Sequence, residues 1–173
     1  MSRCAECGWD WDADVDANAI RAYGERIGKP LTRFLPSDDP DVVLRTRPAP
    51  GVWSALEYAG HVQDVFVFYA ERIERVLNEE RPQLSPGGDW DAMVLDADYN
   101  GADATELATQ VATAADRCAA LVDNIAAEAW ARVGTGSAGD ERTVMELARR
   151  AAHDAHHHLL DIGRVMRHVR QTI

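Results

Sequence analysis

Four of the six histidines of this 173-residue chain lie close together, in the segment 152–162. The segment reads A-H-D-A-H-H-H-L-L-D-I and also contains Asp154 and Asp161. Imidazole and carboxylate groups are ligands of divalent metal ions, and on a helix the side chains of residues four apart project from nearly the same face. Packing alone does not explain such a cluster. The segment therefore predicts a metal site on a helix.

Two ligand pairs have this spacing, and they point in different directions. On a helical wheel, Asp154 and His158 flank the apolar stripe of the segment, whereas His153 and His157 lie nearly opposite it. The stripe consists of Val144, Leu147, Ala148, Ala151, Ala155, Leu159, Ile162, Val165, Met166 and Val169. Metal sites in helix bundles use side chains that project inward, which favours Asp154 and His158. His153 and His157 remain a rival pair, because the sequence does not fix which face lies inward.

A third ligand must come from another helix, and His61 is the histidine that lies outside the C-terminal region. It occurs in W-S-A-L-E-Y-A-G-H-V-Q-D, at the edge of a second apolar stripe. Three protein ligands with an open fourth position are typical of catalytic zinc sites. The alternative is that His61 is a hydrogen-bonded core histidine and that the C-terminal histidines form a solvated face.

Two aspartates are placed to orient the predicted histidine ligands. Asp64 lies three residues after His61, and Asp161 lies three residues after His158. A carboxylate that accepts a hydrogen bond from the free ring N–H fixes the orientation of a metal-binding histidine. We predict this role for both aspartates, with ordinary helix-surface charge as the alternative.

The predicted ligand set indicates what chemistry the site would support. Two histidines and one aspartate leave about one positive charge on a divalent ion such as zinc or nickel, which favours an anionic thiolate or carboxylate. Such an ion lowers the pKa of a bound water or thiol. This favours a metal-dependent transferase, isomerase or hydrolase that acts on a small molecule. A metal-binding module without catalysis and a metal-free helical interaction protein are the alternatives.

Four helical segments are predicted to position these residues, over residues 14–34, 54–78, 103–128 and 143–170. The last three begin with capping signals, which are Ser54 with Glu57, Asp103 with Glu106, and Thr143 with Glu146. A break of the first helix is expected near Pro30, since proline cannot donate to the helical ladder. The proline- and glycine-rich residues 79–102 predict a long crossover. The chain is therefore predicted to be all-α, a four-helix bundle with one long crossover connection.

Composition excludes several classes of protein. The formal net charge is −11, which argues against a nucleic-acid surface. No apolar run approaches the roughly 20 residues that span a bilayer, and the N-terminal residues lack the apolar stretch of a signal peptide. We therefore expect a cytoplasmic protein with no membrane partner. The three cysteines are too few for a disulfide framework, so they are expected to be reduced.

The N-terminal residues 1–13 form a predicted extension to a bundle domain of residues 14–173. They contain the C-x-x-C pair Cys4 and Cys7, which is half of a zinc site. The sequence leaves three alternatives open for this cysteine pair. The pair is a redox dithiol, it is part of a metal site completed by another chain or by the histidines, or it lies in a flexible reduced turn. Cys118, among alanines, is predicted to be a buried small residue.

The motifs W-S-x-x-E-Y-x-x-H and D-x-x-H-H-L-L-D-I resemble those of the DinB/YfiT-like proteins, whose relatives include the mycothiol-dependent maleylpyruvate isomerases. The resemblance covers roughly residues 14–170. It implies a four-helix bundle with a divalent metal bound by His61, Asp154 and His158. Many relatives have histidine at the position of Asp154, and the isomerase-like branch has a carboxylate there. A low-molecular-weight thiol cofactor and a homodimer are further implications, and the N-terminal C-x-x-C is similar to an extension of actinobacterial-type members.

Overall fold

The computed structural model describes residues 3–172, which fold into helices joined by loops and one small hairpin. In chain order the helices are α1 (Ala17–Thr32), α2 (Pro40–Arg45), α3 (Ala55–Asn78), α4 (Trp90–Asp96), α5 (Ala104–Asp123) and α6 (Val144–Thr172). Strands β1 (Val133–Thr135) and β2 (Glu141–Thr143) pair antiparallel just before α6, with Val133 opposite Thr143. Short 3-10 turns occupy Tyr99–Gly101 and Ala127–Ala131.

The four long helices form the predicted bundle. Helix α1 packs against α5 and α6, and α3 also packs against α5 and α6. The pair α1 and α3 therefore lies across one diagonal of the bundle, and α5 and α6 across the other. This arrangement brings α3 and α6, which carry the predicted metal ligands, side by side.

The sequence pattern correctly predicts which face of α6 lies in the core. Every residue of its predicted apolar stripe is buried except Leu159, which is half-buried. Because α6 is oriented in this way, Asp154 and His158 lie at the border of the core. Cys118 is fully buried in α5, as predicted.

The predicted helix starts are confirmed by their caps. The Ser54–Glu57 capping box is complete at the start of α3, and the Asp103 side chain accepts hydrogen bonds from two backbone N–H groups at the start of α5. Thr143 and Glu146 form the corresponding pair at the start of α6. These caps satisfy N–H groups that lack a partner in the first helical turn.

Other local predictions are wrong. Helix α1 continues through Pro30 to Thr32, because Ile27 and Leu31 on either side of the proline are both buried in the core. Helix α5 ends at Asp123, where the Asn124 side chain donates a hydrogen bond to the carbonyl oxygen of Ala120. The three-residue strands of the hairpin are too short to produce a recognisable alternation. Among residues 3–172, none of the helices combines the length and apolar character needed to cross a membrane.

Candidate metal centre

His61 lies on α3 at the contact with α6 and is buried, with 5% of its surface exposed. Its ring centroid is 4.8 Å from that of His158. The buried Nδ1 atom of His61 has no hydrogen-bond partner among the residues that the structure describes. A buried polar atom without a partner is costly, so this nitrogen has the character expected of a metal ligand.

His158 is held in place by the aspartate predicted for that role. Its Nδ1 is 3.1 Å from Oδ2 of Asp161, whose other oxygen accepts a hydrogen bond from Arg164 at 2.8 Å. With Nδ1 as the donor to the carboxylate, Nε2 of His158 carries a free lone pair for a metal.

Asp154 lies one helical turn before His158 and contributes the negative charge of the centre. Its Oδ1 atom is 2.8 Å from Nδ1 of His153. The pKa of His61 is lowered to about 4 by burial and by its electrostatic interaction with His158, an effect that Asp154 partly offsets. His61 is therefore neutral at physiological pH, which is the form that binds metal. Two imidazoles and one carboxylate are types of donor that bind a divalent ion.

Aromatic side chains cover the centre. The Trp53 ring centroid is 5.0 Å from His61, and the Tyr58 ring stacks on His158 at 5.3 Å. Trp90 of α4 contacts the other side of His61, with ring centroids 4.9 Å apart. The sequence offered no signal for Trp90, because it lies in the long connection between α3 and α5. Together these rings limit the access of water to His61.

Asp64 has a different partner from the one predicted. Its Oδ1 accepts a hydrogen bond of 2.8 Å from the hydroxyl of Tyr99, and no hydrogen bond joins Asp64 to His61 within residues 3–172. Burial raises the pKa of Asp64, and the Tyr99 hydroxyl partly offsets this. The Tyr99 ring lies directly over Gly60, where a Cβ atom would be 2.2 Å from the ring. Asp64 therefore fixes the turn at residues 99–101 against α3.

We expect Tyr99→Phe to lower the free energy of unfolding by about 1 kcal/mol, because the half-buried Asp64 loses its hydrogen-bond donor. Urea unfolding at neutral pH measures this change. Asp64→Asn is the matched control, since an amide oxygen still accepts the hydrogen bond from Tyr99 and the loss is expected to be smaller. Equal stability of Tyr99→Phe and the wild type would mean that this hydrogen bond does not stabilise the fold.

The rival pair His153 and His157 faces the N-terminal segment. Donor atoms of Cys4, Cys7, His153 and His157 all lie within 4.8 Å of one another. Among residues 3–172, no other group of three or more histidine, cysteine or acidic side chains has its donor atoms so close together. The donor atoms of His61, Asp154 and His158 are less tightly gathered. The histidines thus lie close enough to the C-x-x-C pair to complete a metal site with it, which is one of the three alternatives that the sequence left open.

The N-terminal segment packs along α6 through several contacts. Trp11 lies against the ring of His153, with centroids 4.3 Å apart, and Arg164 donates a hydrogen bond to the carbonyl oxygen of Glu6. The neighbouring His153 side chain and backbone N–H groups lower the pKa of Cys4 to about 6, whereas burial raises the pKa of Cys7. Cys4 is therefore easily converted to a thiolate, the form that binds metal.

A cavity of about 210 Å³ lies between α3, α6 and the hairpin, and its lining residues do not include His61, Asp154 or His158. Its polar lining includes the side chains of Tyr69, Arg72, Arg142, Arg150 and Asp140. The Arg142–Asp140 ion pair is formed at 2.6 Å, but within residues 3–172 neither Arg72 nor Arg150 forms an ion pair. Arg150 lies one turn before Asp154 on α6. Two guanidinium groups without an ion-pair partner in the described residues make this cavity suited to an anionic group.

Comparisons with known proteins agree with this architecture. A sequence model of the DinB superfamily matches residues 32–162. The solved structure described as "YfiT from Bacillus subtilis is a probable metal-dependent hydrolase with an unusual four-helix bundle topology" is similar to this chain, with a TM-score of 0.72 and 20% identity. The match covers 93% of this chain and 91% of that one. None of the curated proteins compared matches. Since the family model spans most of the chain, the protein belongs to the DinB superfamily.

Proposed function

We propose that this protein is a divalent-metal-dependent enzyme that acts on a small anionic molecule, with His61, Asp154 and His158 as the metal ligands. The observation that carries this proposal is the buried Nδ1 of His61, which has no partner in the described structure and lies beside His158. Asp161 already fixes the orientation of His158 through its other nitrogen. A core histidine with a purely structural role would be expected to have its buried nitrogen hydrogen-bonded.

A zinc or nickel ion held here by three protein ligands would activate a bound water for hydrolysis or a bound low-molecular-weight thiol for transfer or isomerisation. The protein's own residues supply the surroundings that such chemistry needs. Trp53, Tyr58 and Trp90 lie against His61 and His158 and limit the access of water to them. Exclusion of water strengthens electrostatic interactions within a site.

The arginine-lined cavity indicates the substrate class. Arg72 and Arg150 line the cavity and form no ion pair within residues 3–172, and Tyr69, which also lines it, is near enough to Asp154 for that charge to raise its pKa. Burial, reinforced by the negative charge of Asp154, raises the pKa of Tyr69 to about 12, so its hydroxyl remains a hydrogen-bond donor. These residues would bind a carboxylate or another anionic group of a substrate.

We expect His61→Ala to lose one bound metal ion per chain, together with metal-dependent activity, because two ligands on one helix do not hold a divalent ion firmly. Elemental analysis of protein purified without chelators measures the first effect. A panel of small carboxylated esters, amides and thioesters, tested with and without added thiol, measures the second. His168→Ala is the matched control, since His168 is an exposed histidine on α6. Unchanged metal content in His61→Ala would contradict the proposed centre.

A further inference from the structure

The side chains that join the N-terminal segment to α6 have the types and spacing of a zinc site. Cys4 and Cys7 are separated by two residues, and His153 and His157 are separated by three. Structural zinc sites commonly combine a cysteine pair and a histidine pair with such spacings. We propose that these four residues bind one structural zinc ion, separate from the metal centre at His61.

The distances among the four donor groups are close to those of a tetrahedral site. A zinc ion with bonds of about 2.0 Å to nitrogen and 2.3 Å to sulfur places its ligand atoms about 3.3–3.8 Å apart. The four donor atoms all lie within 4.8 Å of one another, and Sγ of Cys4 is 3.9 Å from Nδ1 of His157. Small side-chain rotations therefore suffice to bring all four onto one ion.

Each histidine has one nitrogen free for the metal and the other near a carboxylate. Nε2 of His153 is buried without a hydrogen-bond partner in the described structure, and Nδ1 of the same ring is 2.8 Å from Asp154. His157 directs Nδ1 toward Cys4, while its Nε2 lies 3.2 Å from Glu6 and 3.6 Å from Asp161. Hydrogen bonds of this kind orient metal-binding histidines.

The loop that carries the two cysteines places both sulfur atoms beside His153 and His157. The N–H of Gly8 donates to the carbonyl oxygen of Cys4, and the N–H of Cys4 donates to that of Trp9. Gly8 has a φ of +73°, a left-handed conformation that glycine adopts without strain. The loop thus turns back on itself at Gly8, directly after the two cysteines.

The composition of the site indicates its role. Four protein ligands fill the tetrahedral positions of zinc, so no position remains for a water or a substrate. Two thiolates neutralise the charge of the ion. The site would therefore fasten residues 4–7 to α6, in a segment too short to form a hydrophobic core of its own.

Cobalt substitution tests the proposal, because thiolate ligands give cobalt a charge-transfer absorption that nitrogen and oxygen ligands do not. Reduced wild-type protein loaded with cobalt is expected to show this absorption. The Cys4→Ser/Cys7→Ser double variant is expected to lose it, together with one zinc ion per chain by elemental analysis. Cys118→Ala is the control, because it removes a cysteine outside the site. This variant should retain both the thiolate absorption and the zinc ion. Absence of the thiolate absorption in the reduced wild type, or its persistence in the double variant, would overturn the proposal.

A second variant keeps the test decisive if the double variant does not fold. His157→Cys retains four ligands and replaces one nitrogen with sulfur, so the charge-transfer absorption should become stronger with three thiolates bound. An absorption identical to that of the wild type would show that His157 is not a ligand. Because His61 is unchanged in this variant, the result does not depend on the proposed enzymatic centre.

The zinc site also positions a ligand of the neighbouring centre, an inference that rests on the proposed function. His153 and Asp154 are adjacent, and the hydrogen bond between them fixes Oδ1 of Asp154. In His153→Cys the zinc site keeps four ligands, but Asp154 loses its donor. We expect the thiolate absorption to persist and the affinity for the second, non-thiolate cobalt ion to fall about 10- to 100-fold. Unchanged affinity for the second ion would refute this coupling while leaving the zinc site itself supported.

Discussion

Replacing Glu57 with alanine is expected to lower the free energy of unfolding by about 3 kcal/mol. Glu57 is buried, yet its carboxylate is fully engaged. Its two oxygens accept hydrogen bonds from the guanidinium of Arg47, and one of them also accepts from the backbone N–H of Ser54 at 2.8 Å. Alanine removes the buried ion pair and half of the capping box. Because α3 carries His61 in its second turn, the same change also disturbs the start of the helix that positions the metal centre.

The pKa of Glu57 makes this contribution dependent on pH. Burial alone would raise the pKa, but Arg47 and the Ser54 N–H together lower it below the ordinary value of 4.5. A carboxyl whose pKa is lower in the folded state stabilises the fold above its unfolded pKa. That stabilisation is lost as the pH falls through the folded pKa. It is therefore complete at neutral pH and disappears in acid, below about pH 4.5.

Glu57→Gln is the variant that isolates the charge, since glutamine keeps the size of the side chain and an oxygen for Ser54. Urea unfolding of the wild type and of Glu57→Gln should show a difference in stability that is largest near pH 7 and narrows below pH 4.5. A difference that stays constant from pH 7 to pH 3 would mean that the ionised carboxylate is not what stabilises the start of α3.

The elements that the sequence predicted best are those that local chemistry determines. Ser54, Asp103 and Thr143 mark helix starts because their side chains satisfy the first backbone N–H groups regardless of the rest of the fold. The apolar stripe of α6 was predicted for the same reason, since a helix of fixed period must bury one face. Pro30 shows the limit of local reasoning: the helix passes through it because tertiary packing of the flanking residues outweighs the lost hydrogen bond.

The site was predictable only where its residues share one helix. The different orientations of the pairs Asp154/His158 and His153/His157 follow from the helical period alone, since consecutive residues are about 100° apart on a helix. Nothing in the sequence fixes the path of the N-terminal segment, so its approach to His153 and His157 was one of several alternatives. The partner of Asp64 depends on the 99–101 turn, which lies in a connection without periodicity. The arginine-lined cavity likewise joins residues from α3, α6 and the hairpin, which are distant in the chain.

Gly24→Ala is expected to lower the free energy of unfolding by about 2 kcal/mol, although alanine is the better helix former. Gly24 lies on α1 against α5, and a Cβ atom at this position would be 2.5 Å from Cβ of Ala115. Ala112 contributes its Cα at 3.3 Å, so rigid atoms of α5 surround the position. No flexible side chain can move away, and the clash must be relieved by separating the two helices.

Gly163→Ala is the matched control, because Gly163 lies in α6 where a Cβ atom would meet no other part of the described chain within 4 Å. Here only the intrinsic preference for alanine operates, and the variant should be more stable than the wild type by about 0.5–1 kcal/mol. The two substitutions are chemically identical, so opposite signs in urea unfolding would separate helix–helix contact from helix propensity. If Gly24→Ala were stabilising too, α1 would be free to move away from α5 without cost. The close approach of these helices would then not be what holds that side of the bundle together.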